Sequence, residues 1–158
     1  MATPTYTPLA TTTLASSASS VTFSSIDQSY GDLVLVISGT TASATTPIMR
    51  FNSDSGSNYS WVRMDGDGSN DTSASGTYTG ASFGRIGTAQ SVIIAQIMDY
   101  SATDKHTTIL SRGNLPNDRT RAMATRWANT SAITSAEVIA DATTFDTGTT
   151  LSLYGIAK

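Results

Sequence analysis

Cysteine is absent from this 158-residue chain, so disulfide stapling and thiolate metal sites are excluded, and redox poise places no constraint on it. Charge is scarce as well. Only 13% of residues are charged, the formal net charge is -3, and the nine Lys and Arg are scattered, which leaves no electrostatic footprint for nucleic acid or an anionic membrane. There is one histidine, His106, and no Gly-x-Ser-x-Gly turn, so a Ser/His/Asp set has no anchor in the sequence. No apolar run approaches the roughly 20 residues needed to cross a bilayer. The first 20 residues carry no Lys or Arg, so no signal peptide is expected there. The expectation is a soluble protein made inside a cell without a signal-dependent export route.

What is abundant is short hydroxyl side chains. The chain has 27 Thr and 23 Ser, 50 of 158 residues. Thr favours pleated, half-exposed surface, while Ser and Gly favour turns, so the bias points to an all-β chain of many short strands. Strand signals recur from Val21 onward, near 21–26, 32–38, 47–52, 59–64, 76–84, 91–99, 105–112, 120–128, 133–140 and 149–156. "TRAMATRWA" contains good helix formers, yet Met123, Thr125 and Trp127 alternate with Ala124 and Arg126, which predicts a strand. About ten strands without a helix predict an antiparallel β-sandwich of jelly-roll type. The expected organisation is an extended Thr/Ser/Pro-rich arm over residues 1–20, then one sandwich domain over 21–158. Pro4 and Pro8 keep the arm from being helical, and Tyr6, Leu9 and Leu14 give it apolar groups to bury on its own sheet or a neighbour's.

Two segments are apolar on both faces. "DLVLVIS" sets Leu33, Leu35 and Ile37 against Val34 and Val36, and "SVIIAQIM" sets Val92, Ile94 and Met98 against Ile93, Ala95 and Ile97. A two-layer sandwich buries one face of each strand, so the other needs a cover. The expected cover is a sister subunit, with contacts through Val34, Val36, Ile93 and Ile97, and with Tyr6, Leu9 and Leu14 of the arm docking on a partner.

Chemistry-bearing clusters are sparse. "DGDGSND" offers Asp65, Asp67, Asn70 and Asp71 as weak calcium candidates. The helix-loop-helix calcium pattern needs Gly and Glu where this sequence has Asn70 and Gly76, and Asp and Gly are also what a turn demands. "NSDSGSN" holds one carboxylate, Asp54, and predicts a hairpin turn flanked by Phe51 and Tyr59, with Asn52, Asp54 and Asn58 bonding to nearby amides. Asp99, Glu137 and Asp141 are candidates for a glycoside-cleaving carboxylate pair only in the sense that every acid is. Tyr59, Trp61, Tyr78, Tyr100 and Trp127 could stack on sugars; for Trp61 and Trp127 a core position is the simpler expectation. No catalytic, metal or cofactor set is expected.

In order, "VTFSSIDQSYGDLVLVISG", "MRFNSDSGSNYSW", "IMDYSATDKHTTILS" and "TGTTLSLYGIAK" resemble small structural proteins of tailed bacteriophages, capsid decoration proteins or tail and fibre components, from about Tyr6 to Ile156. The resemblance implies a jelly-roll-like sandwich on the virion surface, made in the bacterial cytoplasm and assembled as a homo-oligomer, a trimer for preference. It implies the major capsid protein or other virion proteins as partners, a host glycan in the tail alternative, and no catalysis. The matching residues, Phe23, Ile26, Tyr30, Leu33, Phe51, Asn58, Tyr59, Trp61, Tyr100, Leu153, Tyr154 and Gly155, read as fold markers.

Overall fold

The computed structural model describes residues 4–158. It is all-β, and its twelve strands form two antiparallel sheets rather than the ten strands expected. The larger sheet has eight strands: β1 (Tyr6–Thr13), β12 (Thr150–Ile156), β3 (Asp32–Gly39), β8 (Ser91–Met98), β9 (Thr107–Leu115), β10 (Arg119–Trp127), β5 (Tyr59–Gly66) and β6 (Asp71–Tyr78), in that spatial order. The smaller has four, in the order β2 (Ser20–Phe23), β11 (Ala136–Ile139), β4 (Ile48–Phe51) and β7 (Ala81–Ser82).

The chain changes sheet at every connection except the hairpins β5–β6, β8–β9 and β9–β10. This explains two departures from the sequence reading. The expected strand 76–84 is broken because Tyr78 ends β6 in one sheet and Ala81 begins β7 in the other. Residues 52–58 are not a hairpin turn but a corner, since β4 and β5 belong to different sheets. Asn52 and Ser53 take left-handed φ of 51° and 61°, and Asn52 ties the corner to the β10–β11 connection. Its Nδ2 donates to Ala132 O at 2.8 Å, and its Oδ1 accepts from Thr134 N at 2.9 Å.

Residues 6–13 are an edge strand of the protein's own sheet and not a free arm. β1 pairs with β12 from Tyr6↔Ile156 to Thr13↔Thr150, with a bulge between Pro8 and Ala10 where proline cannot serve the ladder. Threonine suits this edge because its hydroxyls bond across the strands, Thr11 to Ser152 at 3.1 Å and Thr13 with Thr150 at 3.0 Å. Leu9 and Leu14 pack against the domain's own core, which corrects their assignment as partner contacts and removes the boundary at residue 20.

Alternation holds in β10, where Arg121, Met123, Thr125 and Trp127 point inward and are buried. With Phe51, Tyr59, Phe83, Tyr100 and Phe145, Trp127 forms the bulk of the core between the sheets. Tyr30 closes one end of it by lying on the bare backbone of Gly155, where an added Cβ would stand 2.4 Å from the ring. Gly155→Ala is therefore expected to displace Tyr30 and to lower stability by about 1–3 kcal/mol, read from the urea midpoint at unchanged slope.

Candidate docking face

The inner face of the large sheet packs on the small sheet; among the described residues no layer lies over its outer face. Register decides which side chains stand there. Val34, Gln96, Leu110, Ala124 and Val62 are directly opposite one another across β3, β8, β9, β10 and β5. The neighbouring row is Val36, Ile94, Arg112, Ala122 and Met64. On β12, Tyr154 extends the first row beside Val34 and Ser152 extends the second.

The result is a largely apolar band across six strands, interrupted by Gln96 and Arg112 and flanked by Asp32, Thr108, Arg126 and Ser60 on one side and by Ser38, Asn114 and Thr120 on the other. Val62, Met64 and Leu110 are 50%, 66% and 48% exposed, and Val92 and Met98 are exposed at the two ends of β8. Near the β1 side the face dips into a groove of about 560 Å³ lined by Tyr6, Val34, Val36, Ile94, Leu110 and Tyr154, with Gln96, Ser111 and Arg112 as its polar members. Gln96 is held by its Nε2 donating to Asp32 Oδ2 at 2.7 Å. Leaving contiguous aliphatic surface in water is unfavourable in proportion to its area, so such a band marks an interface.

Of the residues expected to make contacts, Val34 and Val36 are on this side of the sheet, Val36 half-buried and Val34 only 9% exposed. Tyr6 is exposed beside it. Ile93 and Ile97 do not belong to it: both are fully buried in the core and have no surface to offer a partner. On β8 the outward residues are Val92, Ile94, Gln96 and Met98. Val62, Met64 and Leu110 were missed; each stands beside inward-facing neighbours in a strict alternation, which is the signal that could have found them.

The calcium candidates are separated by their roles. Asp65 on β5 is buried and faces arginines, with Arg121 Nη2 3.0 Å from its Oδ2. Burial pushes its carboxyl pKa up, but the hydrogen bond and charge of Arg121, with the charges of Arg63 and Arg119, outweigh that and hold it below the ordinary value. Asp67 caps the β5–β6 turn by accepting from Ser69 N at 2.8 Å and Asn70 N at 2.6 Å. Asp71 begins β6. Among the described residues no group of three or more His, Cys, Asp or Glu is placed to hold a metal ion.

Three of the five sugar-stacking candidates, Tyr59, Tyr100 and Trp127, are core residues. Burial pushes the Tyr59 phenol up to about 12. Its hydroxyl accepts from Phe51 N and donates to Asp54 O, both at 3.1 Å. The remaining two, Trp61 and Tyr78, flank a small cleft of about 210 Å³ with Arg63 and Asp141. The Trp61 ring is already engaged by the backbone of Gly76 and by the Arg63 guanidinium, 5.5 Å from its centroid, while the Tyr78 hydroxyl donates to Asp141 Oδ2 at 2.9 Å. Among the acids, Asp99 pairs with Lys105 at 3.3 Å, and Glu137 sits between Thr22 and Arg50 on β11. His106 is exposed. Among the described residues no helix is long and apolar enough to cross a membrane.

No protein-family model matches this chain, and no curated protein does. A solved structure of a protein of unknown function from Shewanella oneidensis MR-1 aligns over 97% of this chain and 80% of its own, at 9% identity and a TM-score of 0.24. That likeness is too distant to carry fold or function.

Proposed function

We propose that the protein is a non-enzymatic structural component of a bacteriophage particle, a capsid decoration protein that docks as an oligomer on the assembled head. The observation that carries this reading is the uncovered apolar band on the outer face of the eight-stranded sheet. The ordered resemblance of its segments to small phage structural proteins supplies the context. A protein that binds only the assembled shell stabilises that shell by mass action, and it needs a broad contact surface but no reactive groups. The major capsid protein is the partner this reading requires.

We also infer jelly-roll connectivity. In support, β1-β12-β3-β8 faces β2-β11-β4-β7, the order that two interlocked Greek keys produce, with the hairpins β5–β6 and β9–β10 added to one sheet. Such insertions widen the outer face from four strands to eight, and the band uses the added width.

Replacing Leu110 and Met64 together by glutamate tests the docking. Both side chains are exposed, so folding stability is expected to change by no more than about 0.5 kcal/mol per site. Co-sedimentation with heads of the phage that encodes the protein is expected to fall at least about tenfold, since buried charge at an interface costs more than 1.4 kcal/mol. Undiminished binding of the double variant would overturn the assignment of this face.

The second reading is a tail or fibre component that binds a host glycan, favoured by the cleft of Trp61, Arg63, Tyr78 and Asp141. It predicts glycan-array binding lost in Tyr78→Ala, and labelling at the tail instead of over the head.

A further inference from the structure

The two sheets have four edges, and they are not equally protected. β2 and β7 are only four and two residues long. β1 is eight residues long but carries Pro8 and a bulge. These are the usual devices that stop an edge from recruiting another strand.

β6 has none of them. Its eight residues, Asp71–Tyr78, contain no proline and no lysine, and the one charge stands at the strand's start. Its register with β5 runs from Tyr59↔Tyr78 to Gly66↔Asp71 without a shift, and no residue in it has positive φ. Among the described residues, its backbone makes no hydrogen bond beyond those to β5. A straight eight-residue edge, charged only at its first residue and with free N–H and C=O groups, is a template for strand addition.

We infer that β6 pairs antiparallel with β6 of a second copy of this chain, about a two-fold axis perpendicular to the sheet. The strand is self-complementary in the ways such a pair requires. Centred on Ser75, the pairing sets Ser73 opposite the partner's Thr77 and Thr72 opposite the partner's Tyr78. Hydroxyl side chains and small residues meet across the seam, and cross-strand Ser and Thr pairs are favourable. Gly76 meets the partner's Ala74, so nothing bulky crowds the backbone. The two Asp71 carboxylates are sent to opposite ends, which removes the like-charge repulsion that a parallel arrangement would create. A second copy is favoured over pairing of β6 with β1, because β1 presents Pro8 and a bulge; a closed pair, not a ring of three, results.

The axis also places the outer faces of both sheets on one side. The row through Val62 then continues across Ser75 and its mate to the partner's Val62, while the row through Met64 continues across Ser73 and the partner's Thr77 to the partner's Ser60, and the two outer faces form one surface sixteen strands wide. This extends the docking reading but does not depend on it: the pair would form without any capsid.

The test uses the absence of cysteine. In Ser75→Cys the only thiols of the pair face each other across the axis, with Cβ atoms about 4.5–5.5 Å apart. A short thiol-specific crosslinker is expected to convert this variant largely to covalent dimer, while Thr11→Cys on the β1 edge remains a single chain. Sedimentation equilibrium is expected to give twice the chain mass for the parent protein and one chain mass for Ser75→Lys, which sets two ammonium groups against each other. Far-UV circular dichroism checks that each variant keeps its sheets. A parent protein that stays a single chain up to its solubility limit overturns the inference. So does a dimer that survives Ser75→Lys, or crosslinking through Thr11→Cys in place of Ser75→Cys. Loss of capsid binding in Leu110→Glu with the dimer mass intact would separate this contact from the docking face.

Discussion

Asp65→Ala is expected to lower the unfolding free energy by about 3–5 kcal/mol, the cost of stranding a buried charge. Asp65 and Arg121 are directly opposed on β5 and β10, and their side chains are 3% and 2% exposed. The guanidinium grips the carboxylate with Nε and Nη2 and spends Nη1 on Thr46 Oγ1 at 2.6 Å. Arg63 Nε stands 3.1 Å from the same carboxylate without hydrogen-bond alignment, and Arg119 lies at 3.9 Å. Removing the carboxylate therefore leaves three guanidinium groups facing one another, one of them out of reach of water. Arg121→Met should cost less, because Arg63 and Arg119 remain to neutralise Asp65. The double change Asp65→Leu with Arg121→Met should recover most of the loss, since a buried pair can be replaced by apolar side chains at little net cost.

Acid titration gives the same interaction a second readout. The Asp65 carboxyl is held below its ordinary value in the folded state. Its stabilisation is therefore complete above the unfolded value, about 3.9, and is lost as the pH falls through the lower folded value. Urea midpoints of the parent protein should drop below about pH 4, and the part of that drop due to this group should be missing in Asp65→Ala. An unchanged acid profile in the variant would show that Asp65 is not the group responsible.

Trp127→Ala is the second large loss, again about 3–5 kcal/mol. The indole is 1% exposed, lies 5.4 Å from the Phe51 ring and stacks at 6.3 Å and 13° on Tyr59, so its removal empties the centre of the core. Its Nε1 also donates to Asp54 Oδ2 at 2.7 Å, which fastens the 52–58 corner to β10. Burial acts to raise the Asp54 carboxyl, but the hydrogen bonds from Trp127, Asn58 and Gly56 prevail and hold it below its ordinary value. Trp127→Phe deletes that bond while keeping much, though not all, of the apolar volume. It should fall between the parent and the alanine variant, and nuclear magnetic resonance titration should show the Asp54 carboxyl moving up toward its ordinary value. If phenylalanine and alanine are equally damaging, the hydrogen bond and not the ring volume dominates.

These two sites show how unevenly the sequence could be read. Trp127 was legible, because its alternation with Arg126 and Ala124 marks a strand with one inward face. The partner of its indole was not, since Asp54 lies 73 residues away in a Ser-rich stretch that reads as a turn whatever it touches. Asp65 looked like a ligand in a Gly-rich loop because local spacing says nothing of Arg121, 56 residues away and directly across the sheet. The apolar face was half legible. Val34 and Val36 stand on the outer face, whereas Ile93 and Ile97 point into the core, a difference hidden in the sequence because both faces of β8 are aliphatic and period-two alternation has no sign.

By itself the sequence determined that the chain is all-β, that β3 and β8 are apolar on both sides, and that no thiol is present; composition and two-residue periodicity are local properties and suffice for these. Only the tertiary structure decided which face is inward, that residues 6–13 close the sheet edge instead of trailing from it, and that β6 is the unguarded edge. Those outcomes depend on strand register and sheet order, which are set by pairing between residues far apart in the chain, and no local pattern encodes the pairing.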